Sequence, residues 1–238
     1  MNRPEIIYFD VYGTLAGFDP PRERIQQAAA ASFGMQLDLQ GLDRGYHEAD
    51  QFMAHQNSSH PVRLMSARER ADFFARYEQL VLAGAGHDVD LETASKVWQR
   101  VQSQEYGWAL FDDVIPGLNR LRDDGYRIAA LSNMPYRGEE MCEMMGLTDH
   151  VEFAVTSGDV GAEKPDPRIF RAALEQAGVE PSSAMMVGDS VSSDLRAAQA
   201  VGMSAVLMDR YNNHPWHDEH PRVTDVYGVS DLLAKTNI

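Results

Sequence analysis

Thiols, lysines and long apolar runs are all scarce in this 238-residue sequence. A single cysteine, Cys142, excludes a disulfide framework. It sits in Glu139-Glu-Met-Cys-Glu-Met-Met145, where neighbouring acids raise a thiol's pKa, so a nucleophilic cysteine is not expected. No apolar stretch nears the roughly 18 residues of a membrane-crossing helix, and no charged-then-apolar leader is read at the start. The expected location is cytoplasmic, with no membrane partner. Positive charge is also short: 21 Lys+Arg against 36 Asp+Glu leave a formal net charge of −15. Such a surface repels a nucleic-acid backbone or an anionic membrane, so neither is expected as a partner. An anionic small molecule would need a local cation, and the sequence has three lysines, Lys96, Lys164 and Lys235, against eighteen arginines.

The chain does have enough apolar material for a core, 44% of its residues. Glu5-Ile-Ile-Tyr-Phe9 reads as a buried strand stopped by the turn Asp10-Val-Tyr-Gly-Thr-Leu15. From Pro20 to Glu105 the periodicity is helical, over residues 22–33, 41–55, 66–83 and 91–106, with no convincing alternating strand. Beyond Pro116-Gly117 the pattern alternates. Helices are expected at 118–124, 138–145, 167–177 and 193–201, and strands at 127–131, 151–155, 184–187 and 205–208. Asn212 to Arg222 reads as a polar loop, and 229–235 as a closing helix. Alternating strands and helices imply an α/β fold with a mostly parallel sheet covered on both faces.

Functional groups in such a sheet gather at the carboxyl ends of its strands. Four strand ends or helix starts carry reactive residue types. Asp10, before Gly13-Thr14, can act as a nucleophile if a cation masks its substrate's negative charge. Ser132-Asn133 offer a hydroxyl and an amide to the oxygens of a transferring group. Lys164-Pro165 places an ammonium where phosphate charge could be neutralised. Gly188-Asp-Ser-Val-Ser-Ser-Asp194 supplies two carboxylates, oxygen ligands of the kind Mg²⁺ takes. Taken singly, each is also an ordinary turn or helix cap. The cluster His214-Pro-Trp-His217-Asp-Glu-His220 has transition-metal ligand types, but its polar setting reads as a solvated loop.

In this order the segments Asp10-Val-Tyr-Gly-Thr-Leu15, Leu131-Ser-Asn133, Glu163-Lys-Pro-Asp-Pro-Arg-Ile-Phe170 and Gly188-Asp-Ser-Val-Ser-Ser-Asp194 resemble the signature of the haloacid dehalogenase-like superfamily. The resemblance implies a Rossmann-like parallel-sheet core at 1–16 and 107–238 and an all-helical cap domain at 17–106. It implies a hydrolase in which Asp10 attacks the substrate while Ser132 and Lys164 hold the transferring group. Thr14 and Asn133 join Ser132 and Lys164 as expected substrate-binding residues. Mg²⁺ would be held by Asp10, the backbone carbonyl of Tyr12, Asp189 and Asp194. The expected partner is a small, anionic substrate, and the chain a monomer or homodimer.

Tyr12 departs from the pattern of the family's phosphatases, which usually place a second Asp there as acid and base. An ordinary phenol titrates near pH 10 and is a poor base at neutral pH. Tyrosine at this place resembles the family's metal-independent 2-haloacid dehalogenases. Those enzymes, however, usually carry Ser-Ser-Asn where Gly188-Asp-Ser190 stands, a tyrosine at Phe170 and a cap arginine near Gly41, to which Arg44 is the nearest candidate. Metal-dependent phosphate chemistry is therefore the favoured expectation. Dehalogenation and a non-catalytic binding or regulatory role are the alternatives, and His47 or His55 could deliver a proton.

Overall fold

The structure, a computed structural model, describes residues 3–236, apart from the side chains of Ala54, Ser58, Arg63 and Thr236. Residues 1, 2, 237 and 238 of the expected core lie outside the described residues. The chain divides into two compact units, one of Met1–Gly17 with Trp108–Ile238 and one of Phe18–Gly107.

The first unit is built on a six-stranded sheet in the order β5-β4-β1-β6-β7-β8. Its strands are β1 (Ile6–Phe9), β4 (Arg127–Ser132), β5 (Phe153–Thr156), β6 (Ala184–Gly188), β7 (Ser204–Met208) and β8 (Arg222–Val223). Every pairing is parallel. β1 is buried at all four positions because helices cover both faces, which is why the strand reads as a continuous apolar run. Ile7 and Phe9 pack under α5 (Val114–Asp123), α6 (Gly138–Met145) and α10 (Val226–Thr236). Ile6 and Tyr8 pack under α8 (Pro167–Ala177) and α9 (Ala197–Ala200). Each fully buried Ile or Phe contributes about 1.5–3 kcal/mol. After β1 the chain runs out to β4 and β5 on one side and returns to β6 and β7 on the other, so the topological switch point lies beside β1. A crevice is expected at the carboxyl ends of strands flanking such a point.

The second unit holds α1 (Arg22–Ala31), α2 (Leu39–Ser59), α3 (Ala67–Gly84) and α4 (Leu91–Gln102). Asp38, Ser66 and Asp90 cap α2, α3 and α4 with their side chains, and Ser66 with Glu69 forms a full capping box. The unit has its own core, including Leu42, Tyr46, Phe73, Tyr77, Val81 and Val97. The fold is thus a Rossmann-like α/β core with an inserted helical unit, as the pattern implied.

Several elements differ from the sequence reading. A two-stranded ribbon of β2 (Ala16–Asp19) and β3 (Gly107–Leu110) contains both chain crossings between the units. Each strand has four residues, too few for alternation to register. The short helix α7 (Ser157–Val160) follows β5, and β8 ends the segment read as a loop. The helix expected at 193–201 begins as a π-helical turn, Val191–Arg196, before continuing as α9. Among the described residues no helix is long and apolar enough to cross a membrane.

Candidate active site

Asp10 follows the last residue of β1, and its backbone N–H donates to Val187 O of β6 at 2.9 Å, holding the two strand ends together. The turn after it is gathered by one acceptor: Val11 O receives the N–H groups of Thr14, Leu15 and Ala16 at 3.3, 2.8 and 2.8 Å. Gly13 sits in this turn at φ +77°, and a Cβ there would collide with the Asp189 carboxylate. Gly188, the last residue of β6, has no room for a Cβ because the Asp194 carboxyl lies against it. These two glycines let three acidic side chains approach. Carboxylate oxygens of Asp10, Asp189 and Asp194 lie within 4.8 Å of one another, the only such group of three potential metal ligands among the described residues.

Lys164 reaches into this cluster from the loop before α8. Its Nζ donates to Asp10 Oδ1 at 2.6 Å, Asp194 Oδ1 at 2.5 Å and Leu131 O at 2.9 Å. The residue is 5% exposed, against 7% for Asp10 and 1% for Asp194, so these charges interact with little solvent screening. Burial raises the Asp10 pKa; Lys164 opposes that and the Asp194 charge adds to it. Burial alone would lower the Lys164 pKa, but its two carboxylate partners more than offset this and keep the ammonium charged. The two directions belong to one network, because a single ammonium cannot fully satisfy two carboxylates. Asp194 also accepts the Ser190 N–H at 3.0 Å, while Ser190 itself caps the π-turn by accepting from Ser193 N. Asp194, a residue type that also caps helices, is here turned inward onto Lys164.

The other expected residues are distributed unevenly. Ser132 ends β4 beside the Leu131 carbonyl that Lys164 grips, and is 2% exposed. Asn133 bonds to the lysine's own backbone: Nδ2 donates to Lys164 O at 2.9 Å and Oδ1 accepts Lys164 N at 2.7 Å. The observed contacts make Asn133 a clasp on the lysine loop. Thr14 is wholly buried, and its Oγ1 has no partner among the described residues. Tyr12 is half-buried, with its ring edge-on to Trp108 at 5.7 Å. Phe170 is fully buried in the core. In the helical unit Arg44 donates to Gly84 O at 3.2 Å, and His47 bonds to Gln51 on its own helix. Cys142 is buried and its thiol is pushed up to about 11 by that burial, as an inert core residue would be.

In the histidine loop, His217 Nε2 and His220 Nδ1 are 2.8 Å apart, with rings nearly coplanar at 4° and centroids 5.0 Å apart. Two facing ring nitrogens at that separation share a hydrogen bond. An ion between them would need about 2 Å to each nitrogen, and there is no room.

Sequence reading missed Arg210, two residues after the end of β7. Its guanidinium joins Thr14 O to Asp113, partners that are 196 and 97 residues distant, so no local pattern marks it.

The family described as haloacid dehalogenase-like hydrolase matches residues 4–202. Haloacid dehalogenase-like hydrolase domain-containing protein 3 of Mus musculus is 42% identical over 106 residues, 44% of this chain and 42% of that protein. That alignment spans less than half the relative's length. A glyceraldehyde 3-phosphate phosphatase of Methanopyrus kandleri is 27% identical over 224 residues, covering 92% of this chain and 88% of that protein. Among solved structures, a HAD phosphatase from Thermococcus onnurineus aligns with a TM-score of 0.57 at 24% identity, covering 96% of this chain and 97% of that one. A 2-haloacid dehalogenase from Pseudomonas syringae pv. Tomato DC3000 aligns with 0.56 at 21%, covering 98% and 99%. Such scores establish a shared fold and do not separate the two chemistries. With the profile matching most of its length and the four motifs gathered on one sheet edge, this chain belongs to the haloacid dehalogenase-like hydrolase family.

Proposed function

We propose that the protein is a Mg²⁺-dependent phosphatase acting on a small phosphorylated metabolite, with Asp10 as nucleophile. The observation that carries this reading is the charge of the buried cluster. Three carboxylates, Asp10 and Asp194 buried and Asp189 half-buried, gather around the one ammonium of Lys164, which ion-pairs with the two buried ones. An all-oxygen, net-negative donor set fits magnesium. Asp10, Asp189 and Asp194, with the Tyr12 backbone carbonyl, would hold the ion. When bound, it masks the charge that would otherwise keep a phosphate ester away from a carboxylate.

The chain's own residues then have distinct tasks. Asp10 attacks phosphorus and the bond from phosphorus to the ester oxygen breaks, forming an aspartyl-phosphate, while the departing oxygen takes a proton from water and leaves as the alcohol. Water attacks that intermediate to free phosphate and regenerate the carboxylate. Lys164 neutralises the phosphoryl oxygens and the charge that develops on them. Ser132 offers its hydroxyl to the same group, and Asn133 keeps Lys164 in place. To the helical unit we assign the role of the family's cap domain, the choice of substrate. The Methanopyrus relative's phosphatase name supports this reading.

Tyr12 motivates a second reading, 2-haloacid dehalogenation. The cluster argues against it, because without a metal the extra carboxylates would repel the anionic haloacid. Phosphate release from a panel of small phosphate esters, with Mg²⁺ or with excess chelator, tests the proposal. Activity that needs Mg²⁺ and disappears in Asp10→Asn is expected. Halide release from 2-chloropropionate without metal would move the assignment to the dehalogenase, and silence in both assays to a binding or regulatory role.

A further inference from the structure

We infer that Arg210 is a positioning residue for the nucleophile loop: it pins the Thr14 carbonyl to the rigid core and thereby holds the Asp10–Thr14 turn in its metal-binding and reactive geometry. This inference rests on the metal-dependent reading above.

The contacts form a chain. Arg210 Nε donates to Thr14 O at 2.7 Å, while Nη1 and Nη2 donate to the two oxygens of Asp113 at 2.8 and 3.0 Å. Asp113 Oδ2 also accepts Val226 N at 2.8 Å, at the first residue of α10, and Asp113 itself immediately precedes α5. The guanidinium carbon lies 4.2 Å over the Phe111 ring, and Phe111 N donates to Leu15 O at 3.1 Å, a second tie onto the same turn. The Arg210 and Asp113 side chains are 8% and 16% exposed. Burial alone would raise the Asp113 pKa; the Arg210 and Val226 hydrogen bonds more than offset it and keep the carboxylate ionised. The clamp therefore joins the end of β7, the starts of α5 and α10, and the turn after β1.

Two features give it a function beyond packing. Thr14 is wholly buried, so its carbonyl must find a donor inside the protein, and Arg210 is the donor the structure provides. The turn is also the piece of backbone that carries both Asp10 and Tyr12. Its internal bonds, three to Val11 O and one from Gly13 N to Ala16 O, shape the turn without fixing it to the far side of the sheet. Arginine suits the task because one planar group makes the bidentate pair and the third bond together; lysine cannot span both. Arg210 touches none of the three carboxylates in the bonds described, so its effect is on where the turn sits.

The test measures Mn²⁺ binding, by the electron paramagnetic resonance signal of free Mn²⁺, together with kcat and KM on a phosphate ester. The proteins are wild type, Arg210→Gln, Arg210→Lys, Asp113→Asn and, as a site control, Asp189→Asn. Arg210→Gln is expected to weaken Mn²⁺ binding and lower kcat by about 10- to 100-fold, as loss of supporting residues around a metal site does, with KM nearly unchanged. Asp113→Asn should shift the same two quantities in the same direction by less, and Arg210→Lys should fall between wild type and Arg210→Gln. If Arg210→Gln does not fold, the graded pair Arg210→Lys and Asp113→Asn decides alone. Folded variants that bind Mn²⁺ and turn over like the wild type overturn the inference while the metal-dependent reading stands. A wild type that binds no Mn²⁺, or an Asp189→Asn that binds it equally well, overturns both.

Discussion

Replacing Glu78 with glutamine should remove a pH-dependent instability from the helical unit. Glu78 lies on α3, is 0% exposed and receives a hydrogen bond on Oε1 from Gln26 Nε2, whose own Oε1 is 3.4 Å from the Tyr46 hydroxyl. Oε2 is buried without a partner among the described residues. Burial raises the carboxyl from its ordinary 4.5 to about 7, with the Gln26 bond opposing the shift. Below the lower value folded and unfolded chains both carry the proton, and Glu78 imposes no penalty. Between the two values the unfolded chain releases a proton that the folded chain keeps, so stability falls as pH rises. Above the upper value the full penalty persists, about 3 kcal/mol at roughly 1.4 kcal/mol per pH unit. Urea unfolding of wild type and Glu78→Gln at about pH 5 and about pH 8 measures this. The amide nitrogen left unpartnered in the variant shifts both measurements equally, so the relevant quantity is how the difference between the two proteins changes with pH. It should move by roughly 2–3 kcal/mol in favour of the variant on going to the higher pH, about 1–3 M in urea midpoint. Parallel pH profiles for the two proteins would refute the argument that burial holds this carboxyl neutral.

Two further substitutions probe the site. Gly13→Ala combines a left-handed backbone, which costs about 1–2 kcal/mol for a residue with a Cβ, with a collision against Asp189. It should abolish Mg²⁺-dependent turnover while the far-ultraviolet circular dichroism stays native, and an active variant would show that the turn has slack. Lys164→Met leaves Asp10 and Asp194 without their shared cation, a loss of about 3–5 kcal/mol for a buried pair broken on one side. Thermal melts should show a destabilised protein that regains part of the loss in Mg²⁺, because an ion that binds only the folded state stabilises it. No response to Mg²⁺ would mean that the carboxylates do not hold the ion.

The primary structure determined the architecture of the core and the identity of the cluster. Strands such as Ile6–Phe9 are buried on both faces and announce themselves as apolar runs, and capped amphipathic helices as periodic ones, because both patterns are local consequences of which side chains must leave water. Asp10, Lys164, Asp189 and Asp194 could be singled out because each sits beside a turn signal at a strand end or helix start. Other features were settled only by tertiary contact. The ribbon of β2 and β3 joins segments about 90 residues apart with strands too short to carry a period. Asn133 is expected near substrate from its position after β4, and only the fold shows that its amide bonds to a lysine backbone 31 residues away. The π-turn at Val191–Arg196 brings Asp194 under Lys164, and winding of that kind has no compositional mark. Arg210 is the clearest instance. Nothing near it in the sequence distinguishes it from seventeen other arginines, because its meaning comes from the Asp113 carboxylate and the Thr14 carbonyl that the closed fold brings within reach of one guanidinium.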